Sequence, residues 1–177
     1  MKKFITQMSL LSFCATFLAG CASMGSPESV ATAKLDSTRG NTVAGLVRFE
    51  QHGDKVRVTG EVRGLKPNAE FGFHIHEKGD CSSGDGMSAA GHFNPDGKPH
   101  AKHGEGVHHV GDLPSLISDA SGVAKFNFTS HTLSMTHASN TILNRGLIVH
   151  RDPDDYKTQP TGNSGPRSAC GVIAKNM

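Results

Sequence analysis

Histidine is the most informative residue type in this chain. There are 11 among 177 residues, and most of them crowd between positions 74 and 109. Neutral imidazole offers one lone pair per ring near physiological pH, so a crowd of imidazoles is a set of ready metal ligands. Two of them stand in Phe73-His74-Ile75-His76. On a strand, residues i and i+2 share a face, so His74 and His76 lie side by side while Ile75 turns into the core. Leu147-Ile148-Val149-His150 repeats the pattern, with His150 facing away from Val149. Between these stretches lie His92, His100, His103, His108, His109 and Asp112. A thiolate-free, all-imidazole set favours Cu(II), whereas imidazoles with one carboxylate suit a closed tetrahedral Zn(II). The chain offers candidates for both. Other chemistries lack their residues: there is no Cys-x-x-Cys and no His-Glu-x-x-His, and Gly104-Glu105-Gly106 follows no strand as a nucleotide loop would. Asn127-Phe128-Thr129 has the form of a glycosylation acceptor but reads as part of a strand.

These ligands need rigid elements to hold them. Residues 42–49, 55–62, 70–76, 123–128, 146–151 and 169–174 alternate apolar with polar positions, and Gly53-Asp54 makes a turn between the first two. No segment carries a sustained helical period. Short strands separated by Gly, Asp and Pro predict an all-β sandwich or barrel in one domain. Residues 77–116 and 152–167 are long and strand-poor. Loops of that length in a compact domain are usually functional or disordered, and the first one carries the histidines.

The chain opens with Lys2-Lys3 and an apolar stretch through Leu10, Leu11, Phe13, Phe17 and Leu18. This stretch is too short and too interrupted for a comfortable transmembrane helix and reads as a secretory leader, residues 1–20. It closes on Leu18-Ala19-Gly20-Cys21, which looks like a bacterial lipobox; the alternative is an ordinary signal peptide in which Cys21 is incidental. Residues 21–39 read as a flexible polar tether, and residues 40–177 as the folded domain. Without Lys2 and Lys3 the chain has 16 basic and 16 acidic residues, so overall basic charge gives no ground for nucleic-acid binding. Cys14 leaves with the leader and Cys21 takes the lipid. Cys81 and Cys170 remain, and in an exported domain they most economically form one disulfide closing about 90 residues; a pair of free buried thiols is the alternative.

Gly72-Phe73-His74-Ile75-His76-Glu77, then Gly91-His92-Phe93-Asn94-Pro95, then His109-Val110-Gly111-Asp112-Leu113 resemble the metal-binding signatures of the copper,zinc superoxide dismutases. The stretch Gly162-Asn163-Ser164-Gly165-Pro166-Arg167-Ser168-Ala169-Cys170-Gly171-Val172-Ile173 resembles that family's C-terminal signature. The likeness covers about residues 40–175, and the place of Cys81 is similar to the bacterial exported branch.

The resemblance implies an eight-stranded Greek-key β-barrel binding one copper and one zinc per chain. His74, His76, His92 and His150 would bind copper; His92, His100, His109 and Asp112 would bind zinc, with His92 bridging the two. Arg167 would attract and orient the superoxide anion, and Asp154 would hydrogen-bond one histidine of each metal. Cys81 and Cys170 would form the family disulfide. The implied reaction converts two superoxide radicals to oxygen and hydrogen peroxide by Cu(II)/Cu(I) cycling, with His92 releasing copper and taking up a proton on reduction. In the family, the second zinc histidine sits nine residues before the third, which selects His100, while His103 is the alternative. His108 is expected to point to solvent, and His52, His131 and His137 read as surface or turn residues. The loop between His150 and Arg167 lacks much of the family's charged stretch and leaves Lys157 as the candidate for a steering lysine. A lipid-anchored dismutase would sit in the periplasm, with the outer membrane favoured because Ala22, not Asp, follows Cys21. The competing reading is a non-enzymatic periplasmic copper or zinc binder on the same barrel, and the chain could be monomer or homodimer.

Overall fold

The computed structural model describes residues 26–176. The expected leader, with Cys14, and the expected lipidation position Cys21 lie outside the described residues. Among the described residues, ten strands form in chain order: β1 (Ser29–Ser37), β2 (Ala44–His52), β3 (Lys55–Arg63), β4 (Glu70–Phe71), β5 (Phe73–His76), β6 (Leu116–Ile117), β7 (Ala124–Ser130), β8 (Gly146–His150), β9 (Arg167–Val172) and β10 (Ala174–Lys175). All the pairings between these strands are antiparallel. The main sheet runs β5-β8-β9-β1-β2-β3-β7, with β10 on the flank of β1, and β4 pairs β6 in a second small sheet. Because β4 runs into β5 across Gly72, that one stretch takes part in both sheets and curls them toward closure. Counted as one strand, β4 and β5 complete the eight expected of the barrel, with β10 as an addition.

The alternation seen in the sequence is the alternation of burial. Val47 and Phe49 from β2, Val56, Val58 and Val62 from β3, Phe73 and Ile75 from β5, and Leu147 and Val149 from β8 fill one core. The pattern costs little to satisfy, since each strand turns every second side chain inward. Among the described residues, no helix is long and apolar enough to cross a membrane.

One boundary needs correction. The stretch expected as tether, residues 21–39, contains β1, which pairs with β2 from Ser29↔Gln51 to Leu35↔Gly45 and with β9 at Asp36↔Cys170. Ala31, Ala33 and Leu35 are fully buried. Small apolar residues alternate here with Thr, Lys and Asp, so the composition looks polar while the inward face is apolar. The folded domain therefore includes Glu28, whose N–H donates to the Gln51 carbonyl.

Candidate metal centre

Three strands build the platform. On β5, β8 and β9 the inward positions are core, and the outward positions are His74, His76, Ile148, His150 and Cys170. A shift in register between Val149 and His150 makes His150 pair with Arg167, leaving Ser168 as the extra residue of a bulge. Bulges re-aim side chains, and this one brings the Arg167 side chain beside His150.

Loops complete the site by using the free edge of β5. Ile75 N–H donates to the Gly111 carbonyl, and the Ile75 carbonyl accepts from Phe93 N–H. Isolated bridges His74↔Asp112 and His76↔His92 follow from this docking. The outward histidines of β5 are thus covered: His74 and His76 lie outside the barrel core, yet neither is exposed.

Two donor sets result, each with its ligand atoms within 4.8 Å of one another: His74, His76, His92 and His150, and His92, His100, His109 and Asp112. In the first set, the second ring nitrogen of three imidazoles is already committed. His74 Nε2–H donates to Asp154 Oδ2 (2.7 Å), His76 Nδ1–H to the Ala90 carbonyl (2.9 Å), and His150 Nδ1–H to the Gly165 carbonyl (3.1 Å). A carbonyl or carboxylate only accepts, so each ring carries its proton there and turns a lone pair inward. His76 Nε2 and His150 Nε2 consequently face each other at 3.4 Å with no proton between them. Among the described residues, His74 Nδ1 and His92 Nε2 are buried without a hydrogen-bond partner. Orphaned buried acceptors converging on one point are what a cation would satisfy.

In the second set, Asp112 Oδ2 accepts from the N–H groups of His109 (2.9 Å) and Ala101 (3.2 Å). Its Oδ1 faces three imidazole Nδ1 atoms, of His100 (2.9 Å), His92 (3.0 Å) and His109 (3.3 Å), and the last two nitrogens lie 3.4 Å apart. Donor bonds of about 2.0 Å in a tetrahedron require edges of about 3.3 Å, so this set fits zinc. His92 belongs to both sets.

Electrostatics keeps the first set uncharged. Burial lowers His76 and His150 well below the ordinary imidazole range, with neighbouring imidazoles and Arg167 adding to the effect. Burial also lowers His92, to about 4 despite the Asp112 carboxylate, and lowers His74 despite Asp154. For His100, burial would lower the ring, but Asp112 and Asp154 on its two nitrogens outweigh it and hold it up at about 9 in the absence of metal.

Asp154 accepts from His74 on Oδ2 and from His100 Nε2 on Oδ1 (2.9 Å), so it links the two sets. Arg167 is held by the Gly86 and Ala90 carbonyls, and the latter is the acceptor that also fixes His76. Cys81 and Cys170 form a disulfide with Cα atoms 5.8 Å apart, pinning the first loop to β9. His103 donates from Nδ1 to the Asp112 carbonyl and lies outside both donor sets. His108 does not point to solvent: it is buried, donates from Nδ1 to the His109 carbonyl and packs its ring against His103. Gly104 and Gly106, both with positive φ, turn the segment between His103 and His108 back on itself, and spacing alone does not disclose that turn. His131 and His137 are exposed and His52 half-buried, and Lys157 is exposed on the second loop. Sequence reasoning missed Ala90, Gly86 and Gln159, which act through carbonyl and amide groups rather than through chemistry-bearing side chains.

Fold and site together define an antiparallel β-barrel carrying two abutting donor sets joined by one imidazole. A family model for copper/zinc superoxide dismutase matches residues 43–173. A Cu-Zn superoxide dismutase of Onchocerca volvulus is 40% identical over 147 residues, covering 77% of this chain and 91% of its own length. One from Aquifex aeolicus is 37% identical over 147 residues, covering 81% and 85%. Among solved structures, the clock protein EA4 superposes with a TM-score of 0.75 at 37% identity, covering 86% of this chain and 97% of that one. The chain belongs to the copper/zinc superoxide dismutase family.

Proposed function

We propose that the protein is a superoxide dismutase, converting two superoxide radicals and two protons to oxygen and hydrogen peroxide. The observation that carries this reading is the pair of donor sets sharing His92 with Arg167 paired beside His150. His74, His76, His92 and His150 would hold copper, which would supply the one-electron acceptance and return, and His92, His100, His109 and Asp112 would hold zinc, which would keep His92 in place. Arg167 presents a permanent positive charge and planar donors to a small anion. Its guanidinium is set by the two loop carbonyls. His92 Nε2 is buried with no hydrogen-bond partner among the described residues, and its depressed proton affinity means that a proton held there would be given on readily to peroxide. The decisive test is superoxide consumption by the purified chain with and without one copper and one zinc. Catalysis is expected only with copper, and a fully loaded protein that consumes no superoxide would refute the assignment.

The same reading places the chain outside the cytoplasm, exported by residues 1–20 and lipid-anchored at Cys21 in the periplasm, on the outer membrane. The lipobox-like Leu18-Ala19-Gly20-Cys21 and a disulfide typical of oxidising compartments support it. Mass spectrometry of membrane-extracted protein tests it: a chain beginning at an acylated Cys21 is expected, and an unmodified Cys21 refutes the anchor.

A further inference from the structure

His100 sits in a segment without strand or helix, yet it is only 2% exposed and all of its polar atoms are engaged. Its backbone N–H donates to Gln159 Oε1 (2.7 Å), and its carbonyl accepts from Gln159 Nε2 (2.8 Å). The Gln159 amide thus pairs with the His100 peptide as a neighbouring strand would. The His100 ring Nε2–H donates to Asp154 Oδ1, which also accepts from Tyr156 N–H (2.7 Å). Gly162 closes over the same spot, where a β-carbon would collide with Asp154 Oδ1 and His100 Nε2. Every polar atom of His100 except Nδ1 is therefore held by residues 154–159, and Nδ1 is the atom that faces Asp112 Oδ1.

We infer that Gln159 is a positioning residue for zinc, an inference resting on the ligand reading above. Its amide fixes the main chain of His100 while Asp154 fixes the ring, so the ligand is preset by the second loop rather than by its own. Gln159 is itself exposed, so removing its amide admits water to the His100 peptide rather than orphaning it. The loss is one of preorganisation, which appears in metal retention. The second loop also supplies the Gly165 carbonyl to His150, so one loop conformation serves both donor sets.

The test is zinc release to a chelator from wild type, Gln159→Met and Gln159→Asn, with cobalt(II) absorption at the same site as a probe of coordination. Gln159→Met keeps the stem and deletes both hydrogen bonds; Gln159→Asn keeps the amide on a stem too short to make both. Zinc release at least tenfold faster in both is expected, with an altered cobalt spectrum and a smaller gain in melting temperature on zinc binding. Zinc release within twofold of wild type, or equal lowering of metal-free and zinc-loaded melting temperatures, would reduce Gln159 to a structural contact and overturn the inference. His100→Ala separates the two levels. Loss of tight zinc in that variant with normal release from Gln159→Met sinks only the role of Gln159, whereas retained zinc in His100→Ala sinks the ligand reading beneath it.

Discussion

Lone pairs that face one another, as those of His76 and His150 do, can coexist in a buried site only while the rings stay neutral. This gives the metal-free protein a definite pH dependence. His92 titrates at about 4 when folded and near 6.5 when unfolded, so its contribution to stability is complete above 6.5 and is lost as pH falls toward 4. His74, His76 and His150 shift in the same direction. His100 runs the other way: raised to about 9, it stabilises below 6.5 and loses that contribution as pH climbs to 9. Metal-free protein should accordingly melt highest near pH 6.5 and fall on both sides, and zinc should remove the alkaline fall by taking the proton's place on Nδ1. Calorimetry from pH 4 to 9 checks both limbs, and an alkaline limb that keeps rising would contradict the His100 carboxylate pairings. Also at this scale, His100→Ala should abolish tight zinc binding while His103→Ala leaves it near wild type by elemental analysis. Arg167→Ala should retain copper and its Cu(II) spectrum yet dismutate about tenfold more slowly or worse, a loss of at least ~1.4 kcal/mol.

At the level of strands and loops, the prediction concerns β1. A chain beginning at Ser26 should fold cooperatively, whereas one beginning at Gly40 loses the strand between β2 and β9 and with it Ala31, Ala33 and Leu35 from the core. Circular dichroism melting distinguishes the two, and a cooperative transition in the shorter chain would show β1 to be dispensable. The alternating strands were legible because their inward residues are large and branched. β1 was not, because Ala31 and Ala33 carry too little hydrophobic signal, and β6 was not, because two residues have no period. Ligand types in the site were legible in His74-Ile75-His76 and in the loop histidines. Hidden from the sequence were the bulge at Ser168 that seats Arg167 beside His150, and the burial of His108. Both depend on which turn the backbone takes. The Gln159 contact joins residues 59 positions apart through an amide that has no signature of its own.

Taken as a whole molecule, the described chain carries one covalent link, which spans 89 positions of sequence and ties the first loop to β9. Replacing Cys81 and Cys170 with Ser should cost about 4–5 kcal/mol by the chain-entropy estimate, read as a lower denaturation midpoint of the metal-free protein. An unchanged midpoint would mean that the first loop is held by its backbone contacts alone. With 16 positive and 16 negative residues from Cys21 onward, any attraction of an anion is local to the Arg167 region rather than global. Wild-type turnover should decline as salt rises, and the Arg167→Ala rate should be flatter.

β1 also decides by which end the molecule can be gripped. It begins at Ser29 opposite Gln51 and ends at Ser37, next to Thr38, whose hydroxyl donates to the Arg167 carbonyl. Asn176 N–H donates to the Val30 carbonyl, so both ends of the described chain lie together, roughly 30 Å along the strand from Arg167. A fusion partner, an affinity tag or an electrode linker joined at either end therefore takes hold of the barrel like a handle. The working end is left open to solution whichever end is chosen.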